Sequence, residues 1–83
     1  MATGNVVIVV SKHPASKYSR MVRSLLSQYD VVVLVARGRH VSRLSDVLRA
    51  LRGSVRIVSS SVSYADYAPE FTVMVSSGGA TRG

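Results

Sequence analysis

The amino-acid sequence predicts an α/β chain, an α+β two-layer fold in the order βαβαββ, with two helices packed on a four-stranded mixed sheet. Three observations carry that expectation. Val6 to Val10 and Val31 to Val35 are aliphatic runs dominated by valine, two later stretches repeat apolar residues at helical spacing, and from Val55 onward the pattern turns extended. With 83 residues, 47% of them hydrophobic, the chain is read as one packed domain over 1–83 that pairing with a second copy would further stabilise.

Asn5 to Val10 forms the first expected strand, and so continuous an apolar run suits a strand that is central or covered on both faces. Ser11-Lys12-His13-Pro14 breaks it. Tyr18, Met21, Val22, Leu25, Leu26 and Tyr29 then mark one helix face, with Ser16 as the expected N-cap and Asp30 as the end. Val31 to Val35 repeats the strand composition, and a strand, helix, strand order requires a crossover that leaves the two strands parallel.

Ala36 to His40 is the next connection. Val41, Leu44, Val47, Leu48 and Leu51 form the inner face of a second helix, with Ser42 at its start and Gly53 at its stop. Val55 to Val58, running on to Ser63, reads as the third strand, and Phe71 to Val75 as the fourth. Ala65 to Pro69 between them is expected to be a turn or loop, and residues 76–83 a glycine-rich flexible tail.

Charge narrows the function. Eleven Lys and Arg stand against four Asp and Glu, a formal net charge of +7, so polyanions are the first partners to consider. Ten of the eleven basic residues fall between Lys12 and Arg56, and beyond Arg56 the only charges are Asp66, Glu70 and Arg82. The first half carries the field. The absence of cysteine removes disulfides and thiolate chemistry, and no apolar run is long enough for a membrane span, so the chain is read as cytoplasmic.

The strongest local pattern is Arg37-Gly38-Arg39. In an extended loop Arg37 and Arg39 would project alike, Gly38 would let the backbone approach a phosphate, and arginine forks match phosphate oxygens. Lys12, Lys17 and Arg20 belong to the other strand-to-helix connection, which emerges at the same sheet edge if the strands are parallel. The helix N-termini there add partial positive charge. Arg49, Arg52 and Arg56 read as an ordinary solvated helix face, Tyr18 and Tyr29 as core, and Tyr64 and Tyr67 as exposed rings that stack on bases or pack at an interface.

His13, His40 and Asp46 do not make a catalytic or metal constellation. No nucleophile elbow, zincin pair, phosphate-cradling P-loop or dinucleotide turn accompanies them, so no catalytic residue, metal, cofactor or small-molecule substrate is expected.

The segments Asn5-Val6-Val7-Ile8, Ser11-Lys12-His13-Pro14 and Tyr18, followed by Ala36-Arg37-Gly38-Arg39-His40-Val41-Ser42-Arg43 and Asp46, resemble the two signature stretches of the Alba family of archaeal chromatin and RNA-binding proteins. The likeness covers roughly residues 5–58 in order and spacing. It implies an Alba-like fold and a homodimer whose basic loops hold the phosphate backbone of double-stranded DNA or structured RNA, without strong sequence preference and in association with the chromosome. By position it assigns Lys12 and His13 to the paired lysines of the first loop, Tyr18 to the tyrosine of the first helix, and Arg37, Arg39 and Arg43 to basic sites of the second.

The sequence departs from the family in three places. His13 replaces a lysine and lowers the loop's charge at neutral pH; the hairpin around Tyr64, Asp66, Tyr67 and Glu70 is short and lacks Lys and Arg; and Leu51-Arg52-Gly53-Ser54 lacks the aromatic residue of dimer-to-dimer contact. The expected contact set is Lys12, His13, Lys17, Arg20, Arg37, Gly38, Arg39 and Arg43. The alternative is an accessory RNA-binding subunit of a ribonucleoprotein such as ribonuclease P, its hairpin turned to a protein. A small-anion-binding enzyme is a third reading, with nothing in the residues to carry it.

Overall fold

A computed structural model of the chain describes residues 4–77. The observed order is β1 (Asn5–Val9), α1 (Ala15–Leu25), β2 (Val31–Arg37), a single 3-10 turn (Gly38–His40), α2 (Val41–Ala50), β3 (Arg56–Ala65) and β4 (Ala68–Ser76). The strands form one four-stranded sheet in the order β1-β2-β4-β3. β1 and β2 are parallel, joined through α1, while β2 and β3 each run antiparallel to β4. The βαβαββ order, the two helices and the mixed sheet are those the sequence predicts.

The register places Ile8 beside Leu34 and Leu34 beside Val73, so these three side chains share one face of the sheet. That face is buried by the helices. Tyr18 and Val22 of α1 and Leu44 and Val47 of α2 join Ile8, Val10, Val32, Leu34, Ala36, Leu51, Val73 and Val75 in a single core. Helical spacing accounts for the α2 set: 44, 47 and 51 lie one turn apart on a single stripe.

Several details depart from the sequence expectations. β1 is an edge strand, not a central one, and its outer residues Val7 and Val9 are 59% and 65% exposed. Its valine-rich composition reports β propensity, which does not distinguish one covered face from two. Met21 sits at the margin of the α1 face and is exposed, and α1 stops at Leu25, short of Asp30. Neither serine caps a helix. Pro14 precedes α1 and His40 precedes α2, with no side-chain cap at either, while Ser42 lies inside α2 and donates to the Arg39 carbonyl.

β3 and β4 are longer than their apolar cores suggest and close into a hairpin on the Ala65–Ala68 pair, so that Asp66 and Tyr67 alone make the turn. Residues 56–64 of β3 are exposed throughout, because β3 is the far edge strand and the helices cover β1, β2 and β4 only. Ser76 is the last residue of β4, paired with Val31 and Arg56; the rest of the expected tail, from residue 78, lies outside the described residues.

Candidate nucleic-acid interface

Parallel pairing of β1 and β2 decides where the basic loops emerge. Val9 lies beside Val35, the Val10 N–H donates to the Val35 carbonyl at 2.7 Å, and both strands end at the same edge of the sheet. The chain leaves that edge twice, through Ser11 to Pro14 into α1 and through Gly38 to His40 into α2. Lys12, His13, Lys17 and Arg20 on the first connection are exposed, as is Arg39 on the second, while Gly38 and Arg43 are half-buried. The two halves of the expected basic set therefore share one end of the molecule.

Both helices begin there with no acidic residue in the first turn and no side-chain cap. The positive ends of their dipoles face the edge where the cationic side chains stand, although the Lys17 N–H already donates to the Pro14 carbonyl and the Val41 N–H to the Gly38 carbonyl.

The first loop is held by Tyr18. Its phenol oxygen accepts the backbone N–H of Ser11 at 2.9 Å and of His13 at 3.4 Å, and lies 3.3 Å from the Ser11 hydroxyl. The His13 ring meets the Tyr18 ring edge to face, centroids 6.1 Å apart. Burial raises the pKa of the Tyr18 phenol, but the Ser11 hydroxyl, the two backbone donors and the charge of Lys17 outweigh it, and the net shift is downward. Helical spacing identifies Tyr18 as a core residue, and its ring is one. The hydroxyl's role as an anchor for the loop bearing Lys12 is a second function, signalled only by the rule that a buried phenol finds partners.

The second loop differs from the extended geometry expected of it. Gly38 adopts φ +55° and opens a 3-10 turn, so Arg37 and Arg39 belong to different local structures and do not project together by strand alternation. Arg37 is the last residue of β2 and faces Glu70 across the β2–β4 pair. Its guanidinium lies 3.4 Å from the Asp66 carboxylate and 3.7 Å from that of Glu70. Sequence reasoning set those acids apart from the basic region; the register that joins them is a long-range property no local pattern shows.

A second feature lies on the helix side. Val41, Leu44, Ser45 and Leu48 of α2 face Phe71 and Val73 of β4 across a largely apolar groove of about 310 Å³. Val62 pairs with Phe71 beside it, and Ile57, Val58 and Val62 of β3 are about half exposed. Among the described residues no three His, Cys, Asp or Glu side chains gather into a metal site, and no helix is long and apolar enough to cross a membrane.

The sequence pattern of the Alba family matches residues 5–59, which include both basic loops, α1 and α2. The chain belongs to the Alba family. Among solved structures it is similar to Alba from Thermoplasma volcanium, with a TM-score of 0.69 over 84% of this chain and 98% of that one. At 17% identity that likeness establishes the Alba fold and no more. No curated protein matches the chain. Alba proteins are in general nucleic-acid-binding and non-enzymatic, and membership supports a nucleic-acid-binding role in general terms.

Proposed function

We propose that this chain binds double-stranded DNA or structured RNA through its sugar-phosphate backbone, without strong sequence preference and without chemistry of its own. The observation that carries the reading is the emergence of both basic connections at one sheet edge, beside two helix N-termini free of acids and side-chain caps. Lys12, Lys17, Arg20, Arg39 and Arg43 supply the cations, the loop holding His13 and the turn at Gly38 present backbone, and Arg37 reaches phosphate in competition with its two carboxylates. This edge holds no element shaped to read bases in a groove, so affinity rests on charge and geometry.

The proposed active form is a homodimer, packed through the apolar groove between α2 and β4 and the uncovered flank of β3. An 83-residue chain gains stability from covering such a face, and the groove together with the exposed Ile57, Val58, Val62 and Phe71 offers it apolar area. The proposed setting is cytoplasmic and chromosome-associated.

Competition between matched DNA and RNA duplexes at two salt concentrations tests this reading. Affinity that falls steeply with salt for both supports backbone binding, and affinity indifferent to salt refutes it.

A further inference from the structure

The hairpin tip is left unused by the phosphate-binding edge, and its chemistry is of another kind. Asp66 and Tyr67 form the turn with φ +52° and +65°, a pair of left-handed residues of the type I′ class that favours Asn, Asp and Gly. A tyrosine in that conformation costs backbone energy a glycine would avoid. Its ring gains nothing from the fold in return, because Tyr67 is fully exposed at 107% and Tyr64, two residues before the turn, is exposed at 78%.

The tip also offers phosphate no charge. Its two acids hold the Arg37 guanidinium, and the hairpin carries no lysine or arginine between Ile57 and Ser77. Yet it leans on the cationic turn: a side chain at Gly38 would stand 4.0 Å from the Ala68 side chain. Two bare aromatic rings beside a phosphate-binding edge, without cations of their own, match the uncharged π-face of a base that is out of its stack. The face of β3 turned away from the α2–β4 groove favours a nucleotide over a protein partner. Ser59, Ser61 and Ser63, paired there with Met74, Thr72 and Glu70, are exposed, and hydroxyls suit sugars and base edges better than the apolar rim a protein contact needs.

We propose that Tyr67, with Tyr64, is a stacking site for unpaired nucleobases, so that the preferred ligand is a duplex continued by single-stranded nucleotides. The inference rests on backbone binding by the basic loops and names the ligand class those loops alone do not select. Duplex phosphates lie on the Lys12 and Arg39 edge, and the first unpaired base beyond them lies on the tip.

The test is equilibrium binding of the full chain to a blunt duplex and to the same duplex with a short overhang, each made in DNA and in RNA, with a fluorescent base analogue in the overhang. The wild type should prefer the overhang by roughly tenfold, with quenching of the analogue. Tyr67→Gly suits the left-handed position, so it should fold at least as stably, bind the blunt duplex unchanged and lose both the preference and the quenching, whereas Tyr67→Trp keeps them. Equal wild-type binding to blunt and overhanging probes, or a preference that survives in the Tyr64→Ala, Tyr67→Gly double variant, overturns the stacking site alone. Loss of the dimer on Tyr67→Gly would assign the tip to contact between copies and overturn it as well. A wild type that binds none of the probes overturns backbone binding and the tip with it. The DNA and RNA arms then show which nucleic acid supplies the unpaired base.

Discussion

The phenol oxygen of Tyr18 accepts the backbone N–H of Ser11 at 2.9 Å, joining the buried face of α1 to the loop that carries Lys12. Removing that oxygen leaves the ring in the core but strips the loop of its acceptor. Tyr18→Phe is therefore expected to lose about 1–3 kcal/mol of stability, the cost of partly buried donors without a partner. It should also weaken duplex binding through Lys12 and His13. Urea melts and anisotropy titrations measure the two effects.

The same bond gives a pH signature. The folded Tyr18 pKa lies below the 10.0 of a free phenol, so folding favours the phenolate. That contribution is absent at neutral pH, grows as pH rises through the lowered folded value, is complete above the unfolded value, and is lost again as pH falls. Phenolate absorbance should contain a component ionising below 10.0 that disappears in Tyr18→Phe. An unchanged titration in the variant would contradict the assignment.

Asp66 and Glu70 compete with phosphate for Arg37. Asp66→Asn with Glu70→Gln should change stability by less than about 1 kcal/mol, because the Arg37–Asp66 pair is exposed. Duplex affinity should rise at low salt, with the log-log salt slope steeper by about one as Arg37 turns to a phosphate. A double variant that binds no better would show that the acids do not restrain Arg37.

Phe71 stands at the rim of the groove between α2 and β4 and is exposed in the single chain. Phe71→Asp is expected to leave the chain folded and to convert a dimer into monomers in light scattering or sedimentation. An aspartate variant that still sediments at twice the chain mass would place the dimer contact elsewhere.

Much of the fold is legible because its periods are clean. Val41, Leu44, Val47, Leu48 and Leu51 mark the α2 stripe by their spacing alone, and three of them, Leu44, Val47 and Leu51, are buried. The basic loops can be located because they fall at the two breaks between strand and helix. What resists reading is non-local. The edge position of β1 depends on strand order, and Val7 and Val9 look no different from residues of a covered strand. The Arg37 ion pairs depend on the register of β4 against β2, and the turn at Gly38 on a positive φ that a glycine permits without announcing. A turn of Asp66 and Tyr67 goes against the usual preference for asparagine and glycine, so local rules read Ala65 to Pro69 as a longer loop.

The central claim is that the edge carrying both basic loops holds phosphates. The most direct measurement is the salt dependence of duplex affinity for the wild type and for Arg39→Ala, whose side chain is exposed and whose removal leaves the core untouched. Backbone binding predicts a log-log slope smaller in magnitude by about one for each phosphate that Arg39 neutralises, with affinity reduced alike for unrelated sequences. A variant with the wild-type slope, or a wild type whose affinity does not change with salt, would contradict it.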